Sequence, residues 1–168
     1  CDWSSDVCSS DLGILNASSV VIIGVGSSAY VAGDIHHKIM RFGIKSEYYC
    51  DSHMMSIRAT QASNTEVLFA ISHSGESIEI IDAVEIAKGK GMKIFSITSH
   101  QNSTLSRLSD ICLYSLSKET SYRSDAMISR ILQLVITDII CVGGLLKMGD
   151  IGIENINASR IAVAKKKK

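Results

Sequence analysis

ASSVVIIGVGSSAYVAGDIHHKIMRFG, residues 17–43, opens on an unbroken β-branched run, turns at two glycines and continues with apolar residues at helical spacing. A run of valine and isoleucine without polar alternation is what a strand buried on both faces requires, as in a parallel sheet covered by helices. Val31, Ile35, Ile39 and Phe42 then recur at three- and four-residue intervals, which places one apolar stripe along a helix, and Gly43 supplies a stop. The stretch predicts strand, tight turn, helix.

The same pattern repeats downstream. KSEYYCD (45–51) predicts a second strand, SHMMSIRATQAS (52–63) a helix with Ser52 as N-cap, and EVLFAIS (66–72) a third strand. IEIIDAVEIAKGKG (78–91) predicts a helix whose broad apolar face holds Ile78, Ile81, Val84, Ile86 and Ala87, ended by Gly89 and Gly91. KIFSITSH (93–100) reads as strand four, STLSRLSD (103–110) as a short helix and ICLYSL (111–116) as strand five. Strands alternating with helices predict an α/β fold: a three-layer αβα sandwich around a five-stranded parallel sheet, in the flavodoxin-like order 2-1-3-4-5. A last helix, about residues 125–148, is apolar nearly all round and is expected to form a subunit interface or to sink into its own domain.

Composition bounds the partners. The 168 residues carry 17 Lys and Arg against 17 Asp and Glu, so no overall basic field exists to hold a nucleic-acid backbone, and any bound anion is met locally. The longest apolar stretch, 131–146, falls short of the ~20 residues of a membrane span and contains Gln133 and Asp138, which favours a buried helix and no membrane. Five cysteines without a CxxC spacing read as reduced core residues, with Cys50, Cys112 and Cys141 in or beside apolar segments. With no signal-peptide pattern, the expected location is the cytoplasm. Residues 3–12, WSSDVCSSDL, show a near-repeat without helical or strand periodicity. Residues 1–12 are therefore expected to be a non-native or disordered tail, 13–150 the folded domain and 151–168, ending in AKKKK, a second tail.

In such sheets ligands lie beyond the carboxyl ends of the strands where the strand order reverses, here between strands one and three. The loops leaving them are Gly24-Val25-Gly26-Ser27-Ser28 and Ser72-His73-Ser74-Gly75-Glu76-Ser77. A phosphate needs many short donors; helix N-terminal amides supply some, and Ser27, Ser28, Ser72, Ser74 and Ser77 add hydroxyls. Gly26 and Gly75 admit the backbone to close range. Neither loop contains Lys or Arg, and no GxxxxGK[ST] pattern exists, so a sugar phosphate fits better than a nucleoside triphosphate with magnesium. One such loop alone would read as turn and cap chemistry, with Ser74 as N-cap; two at the same end of the sheet favour a ligand.

A rival reading is dinucleotide binding, since Gly24-Val25-Gly26-Ser27-Ser28-Ala29 satisfies GxGxx(G/A) after a strand and Asp51 ends strand two. His36 and His37 point about 100° apart on a helix and read as surface residues rather than a metal pair. His73 is a candidate sugar contact, and His53 and His100 are candidate pocket lining. No metal or cofactor is expected.

On these residues, SxSGx[ST] at Ser72, Ser74, Gly75 and Ser77 and GxGSS at Gly24–Ser28, the sequence resembles the SIS (sugar isomerase) domain family over about residues 17–148. Within it, VVIIGVGSSAYVAGDIHHKIMRFG is similar to the first strand and helix, and SDAMISRILQLVITDII to the last helix, of RpiR-type transcriptional regulators. The resemblance implies a phosphosugar-sensing effector domain, preceded in the whole regulator by a helix-turn-helix domain through which alone DNA would be bound. It also implies a homodimer or homotetramer. The alternative it implies is a sugar-phosphate isomerase or etherase, with Glu119 as base and His73 or His100 as partner. GESIEI is similar to arabinose-phosphate isomerases of the family, but DSHMMSIRATQAS lacks their His-containing segment. A third possibility it leaves open is a module that regulates an enzyme partner.

Overall fold

The computed structural model describes residues 3–116, 125–164 and 166. The chain runs through α1 (Trp3–Asn16), β1 (Val20–Gly24), α2 (Ser27–Arg41), β2 (Ser46–Tyr49), α3 (Ser52–Thr60) and β3 (Val67–Ile71). It continues through α4 (Ile78–Gly89), β4 (Lys93–Thr98), α5 (Thr104–Leu108), β5 (Ile111–Tyr114), α6 (Asp125–Met148) and α7 (Asp150–Ala164). The strands form one parallel sheet in the order β2-β1-β3-β4-β5, as the alternating pattern predicts.

Side chains along β1 divide between two cores. Val20 and Ile22 join Val31, Ile35, Phe69, Ile71, Ile136 and Ile140 beneath α2 and α6, whereas Val21 and Ile23 join Met55, Ile80, Val84, Ile94 and Leu105 beneath α3, α4 and α5. Period-two alternation therefore survives inside an all-apolar strand, with both faces covered. Val31, Ile35, Ile39 and Phe42 are all buried, the stripe read from the sequence.

Several local expectations are corrected. On α4 the buried residues are Ile80, Ala83, Val84 and Ala87, while Ile78 is exposed. Those four recur at i, i+3, i+4 and i+7, so the inner stripe starts at Ile80 and Ile78 lies off it. Asp51, not Ser52, caps α3, accepting from the Met54 amide at 3.0 Å. Cys50 is exposed, unlike half-buried Cys112 and buried Cys141, whose thiol burial pushes up to about 12.

The boundary expected at residue 12 falls inside α1, which packs on α6 and β5. Val7, Asp11 and Ile14 lie at helical spacing and are buried, so the polar near-repeat hides one inward face. Asp11 pairs with Lys147 and lies against Gly143, where a side chain would leave no room. Residues 151–164, expected as tail, are helical; Asn155 Nδ2 donates to the Phe42 carbonyl at 2.8 Å and so closes the C-terminal end of α2.

α6 has two distinct faces. Ile136, Ile140 and Cys141 are buried, together with polar Ser129, Gln133 and Thr137, while Ile131, Val135, Ile139, Val142 and Leu146 are exposed along one stripe. Over Ile128–Met148 the helix is long and apolar enough to cross a membrane by length and composition. Its inner face packs on α1 and α2 of the domain.

Candidate functional site: the crevice between the first and third strands

Strands β1 and β3 are neighbours, and their register pairs Gly24 with Ile71. The two Gly/Ser loops therefore leave the sheet at the same level and side by side. Gly24 is needed where it is: a side chain there would lie 2.8 Å from the Ser28 carbonyl and 3.1 Å from Ala32 Cβ, so its absence lets the strand end and α2 close together. Gly26 follows at φ +56° and is exposed, Ser27 is half-buried and Ser28 is buried. Gly26, the N-cap of α2, has no side chain to accept from the first turn, where the Ser28 amide donates to the Val25 carbonyl at 3.1 Å and the Ala29 amide to the Gly26 carbonyl at 3.3 Å.

The second loop is internally braced. Ser72 Oγ accepts from the Gly75 amide at 3.1 Å and lies 3.2 Å from Ser77 Oγ, and Ser74 Oγ accepts from the Glu76 amide at 3.2 Å. Each hydroxyl keeps further hydrogen-bonding capacity after these contacts. Gly75, at φ +66°, is buried against Ser103 and Thr98, and its carbonyl accepts from the Leu105 amide at 3.0 Å. Ser77, rather than Ser74, is the N-cap of α4, and it too makes no side-chain cap bond. By contrast α3 and α5 are capped by Asp51 and Ser103. Of α2, α3, α4 and α5, the two without a side-chain cap, α2 and α4, are those that begin beside the crevice, where an anion would meet the positive ends of two helix dipoles.

Of the sequence-predicted residues, Gly26, Ser27 and Ser28 on one loop and Ser72, His73, Ser74, Gly75 and Ser77 on the other stand together at this end of the sheet. His73 is half-buried, with Nδ1 2.9 Å from Ser99 Oγ and its ring edge-on to His100 at 5.6 Å. His100, with Ser74, Glu76, Gln101, Asn102 and Ser103, lines an open cavity of about 470 Å³ beside the loop. The Thr104 amide donates to Glu76 Oε1 at 2.7 Å and holds this carboxyl below its ordinary range.

His53 is exposed on α3, away from these contacts. His37 is exposed, whereas His36 is half-buried, 3.0 Å from Ser46 Oγ and stacked on Tyr48; burial, and secondarily His37, lowers its pKa. Asp51, the acidic residue of the dinucleotide reading, caps α3 through Oδ1. Glu119 lies outside the described residues. Among the described residues no group of three His, Cys, Asp or Glu side chains is placed to hold a metal ion.

Sequence reasoning missed Thr98, Ser99, Ser103 and Ser115, which carry the β3 loop from below. Thr98 Oγ1 donates to the His73 carbonyl at 3.1 Å, the Ser99 amide to the same carbonyl at 2.9 Å, and Ser99 Oγ lies 2.8 Å from Ser115 Oγ. A signal existed: Ser99 and Ser115 each follow directly on the last residue of a strand.

Comparisons with known proteins agree with this architecture. An HTH-type transcriptional regulator of Thermotoga maritima is 42% identical over 153 residues, covering 90% of this chain and 54% of the relative. Bacillus subtilis YbbH is 33% identical over 151 residues, 89% of this chain and 53% of the relative; Escherichia coli RpiR is 33% identical over 117 residues, 70% and 40%. The chain thus spans about half the length of the curated relatives it matches. Among solved structures, the Vibrio vulnificus NanR protein complexed with ManNAc-6P superposes with a TM-score of 0.89 at 23% identity, over 96% of this chain and 61% of that one. The sugar isomerase domain of an RpiR transcription factor from Sphaerobacter thermophilus superposes with a TM-score of 0.82 at 15% identity, over 93% and 86%. The SIS domain model matches residues 13–142, which include the whole sheet and both Gly/Ser loops. The chain belongs to the SIS domain family.

Proposed function

We propose that residues 13–150 are the phosphosugar-binding effector domain of an RpiR-type transcriptional regulator, in which a sugar phosphate sets the DNA affinity of a helix-turn-helix domain elsewhere in the regulator. The observation that carries this reading is the pair of Gly/Ser loops at matched register, each opening a helix whose first turn no side chain caps. The phosphate would take the hydroxyls of Ser27, Ser28, Ser72, Ser74 and Ser77 at the starts of α2 and α4, where Gly26 and Gly75 leave room for it, with His73 toward the sugar. Neutral donors at a helix terminus suit a dianion without cationic side chains or a cofactor.

The similarity to regulators supports a sensing rather than a catalytic role, exercised inside the bacterial cell on carbohydrate-metabolism genes. The exposed stripe Ile131, Val135, Ile139, Val142 and Leu146, continuous with a cleft formed by Tyr114, Leu116 and Leu132, supports a homodimer or homotetramer built on α6. Ligand closure over the two loops would then bias one arrangement of that interface over another, which requires different affinities in the two states.

The test is calorimetry and thermal shift with hexose and N-acetylhexosamine 6-phosphates, including ManNAc-6P, against the unphosphorylated sugars. A rise in melting temperature only with phosphorylated sugars, without turnover, is expected. Ser74→Ala, at an exposed position, is expected to weaken binding about 10- to 100-fold, the loss of a hydrogen bond to a charged group, with an unchanged melting temperature. Interconversion of aldose and ketose phosphates by the purified chain would replace the sensor with an isomerase.

A further inference from the structure

α6 turns one stripe inward, and the chemistry of that stripe changes along its length. Gly144, Cys141, Ile140 and Ile136 recur at helical spacing and are buried. Gln133 and Ser129 continue the same stripe toward the start of the helix and are only 2% and 1% exposed. Among the described residues, neither Ser129 Oγ nor Gln133 Nε2 has a hydrogen-bond partner. Thr137, on the same inward side, satisfies its hydroxyl by donating to the Leu134 carbonyl at 2.8 Å. A buried polar atom left unpaired costs stability, and apolar side chains at 129 and 133 would bury the helix as well. Two such atoms on successive turns call for a partner.

Contacts on both sides of the helix place them. Asp138 pairs with Lys38, and Ile140, Cys141 and Gly144 border one small cavity with Ile39 and Phe42, so α6 runs in the same direction as α2. Counted back equally along the two helices from that ion pair, Ser129 comes level with Ala29, in the first turn of α2. Independently, Leu132 and Ile136 line a cleft with Tyr114 and Leu116, at the carboxyl end of β5. Ile136 and Ile140 share a core with Ile71 and Ile97, at the ends of β3 and β4. Gln133 and Ser129 therefore stand at and beyond the carboxyl edge of the sheet, the level at which the loops after β1 and β3 form the crevice. The stripe becomes polar where the sheet ends beneath it.

We infer that Gln133 and Ser129 are specificity-determining residues of the crevice, taking the hydroxyl or acyl oxygens of the sugar whose phosphate lies on the Gly/Ser loops. This rests on the phosphosugar reading above and deepens it. A carboxamide donates two hydrogen bonds and accepts at its oxygen, and a serine hydroxyl does both, so the pair matches neighbouring sugar hydroxyls, which also donate and accept. A phosphate dianion only accepts and is met by the loops; the sugar is met by α6. The other face of α6 carries the exposed apolar stripe, so the ligand bears directly on the helix proposed to join subunits.

Gln133→Met keeps the length of the side chain and removes its polar end. Without ligand its melting temperature is expected to equal or exceed that of wild type, because an unpaired buried amide is lost. Affinity for the tightest-binding of the hexose and N-acetylhexosamine 6-phosphates is expected to fall about 2- to 10-fold, the range of one neutral hydrogen bond. Affinity for inorganic phosphate, titrated by NMR, is expected to stay as in wild type, whereas Ser74→Ala weakens both. Ser129→Ala should behave as Gln133→Met does. A Gln133→Met chain that melts lower than wild type shows the carboxamide to be paired within the fold, and unchanged sugar-phosphate affinity shows that it meets no ligand. Either result, or an equal loss for inorganic phosphate, overturns the inference and leaves the loops their role. A wild-type chain that binds neither phosphate nor any sugar phosphate removes the phosphosugar reading itself, and the inference with it.

Discussion

Replacing Gly75 by alanine should damage the β3 loop by a calculable route. Gly75 sits at φ +66°, where an L side chain costs about 1–2 kcal/mol against its own backbone. The new Cβ would also fall on Ser103 Oγ, 2.5 Å from Ser103 Cβ and 2.8 Å from Thr98 Oγ1. Neither neighbour can step aside freely. Ser103 Oγ caps α5 by accepting from the Ser106 amide at 3.2 Å, and Thr98 Oγ1 donates to the His73 carbonyl at 3.1 Å. Overpacking of this kind costs about 1–3 kcal/mol. The combined loss of about 2–5 kcal/mol is a large share of the ~5–15 kcal/mol that holds a typical domain together, so the variant should fold but melt early. Gly89→Ala is the matched control: nothing lies within 4 Å of its added Cβ, it ends a helix, and the same chemical change should be neutral or stabilise by up to about 1 kcal/mol. Urea unfolding of wild type and both variants, with the m-value checked for constancy, measures the difference. Equal midpoints for the two variants would refute the claim that the loop is held in its left-handed turn by Ser103 and Thr98.

The remaining expectations follow from other contacts. Arg58 Nε donates to Glu47 at 2.8 Å and its Nη2 to Glu66 at 2.5 Å, with only 12% of the arginine side chain exposed, so Arg58→Met should cost about 1–3 kcal/mol in urea unfolding, between a surface and a buried pair. The hydrogen bond from Arg58 is the main reason that the Glu47 carboxyl lies below its usual 4.5; the stability it lends is present above that value and lost as pH falls through the lower folded one. Glu47→Gln should accordingly be less stable than wild type near neutrality, with a shallower loss on acidification. Ile139→Glu, on the exposed stripe of α6, should convert an oligomer to monomer in analytical ultracentrifugation without lowering the ligand response; an unchanged mass would remove α6 from the interface.

Much of the candidate site was legible in the sequence because its signals are local. A β-branched run ending in glycine fixes where β1 stops, and Gly26 and Gly75 mark the two positions where the chain takes a positive φ beside the crevice. The serines on those loops needed only the rule that ligands meet the carboxyl ends of parallel strands. What escaped was set by contacts distant in sequence. Nothing in WSSDVCSSDL announces a helix; its Asp11 acquires a place only when Lys147 and Gly143 come opposite. Ile80, Ala83, Val84 and Ala87 recur at i, i+3, i+4 and i+7 and form the inner face of α4, and Ile78 falls outside that stripe.

The sequence by itself determined the strand and helix alternation, and with it the parallel sheet, since right-handed crossovers leave few ways to cover an all-apolar strand on both sides. It also determined the chemistry of the crevice, because glycine and serine at a helix start act through their own backbones and hydroxyls. Only the tertiary structure decided which hydroxyls support which. That Ser115 stands behind Ser99 and Ser99 behind His73 depends on the order and register of β5, β4 and β3, and a hydrogen bond needs two partners brought within about 3 Å, which no single segment encodes.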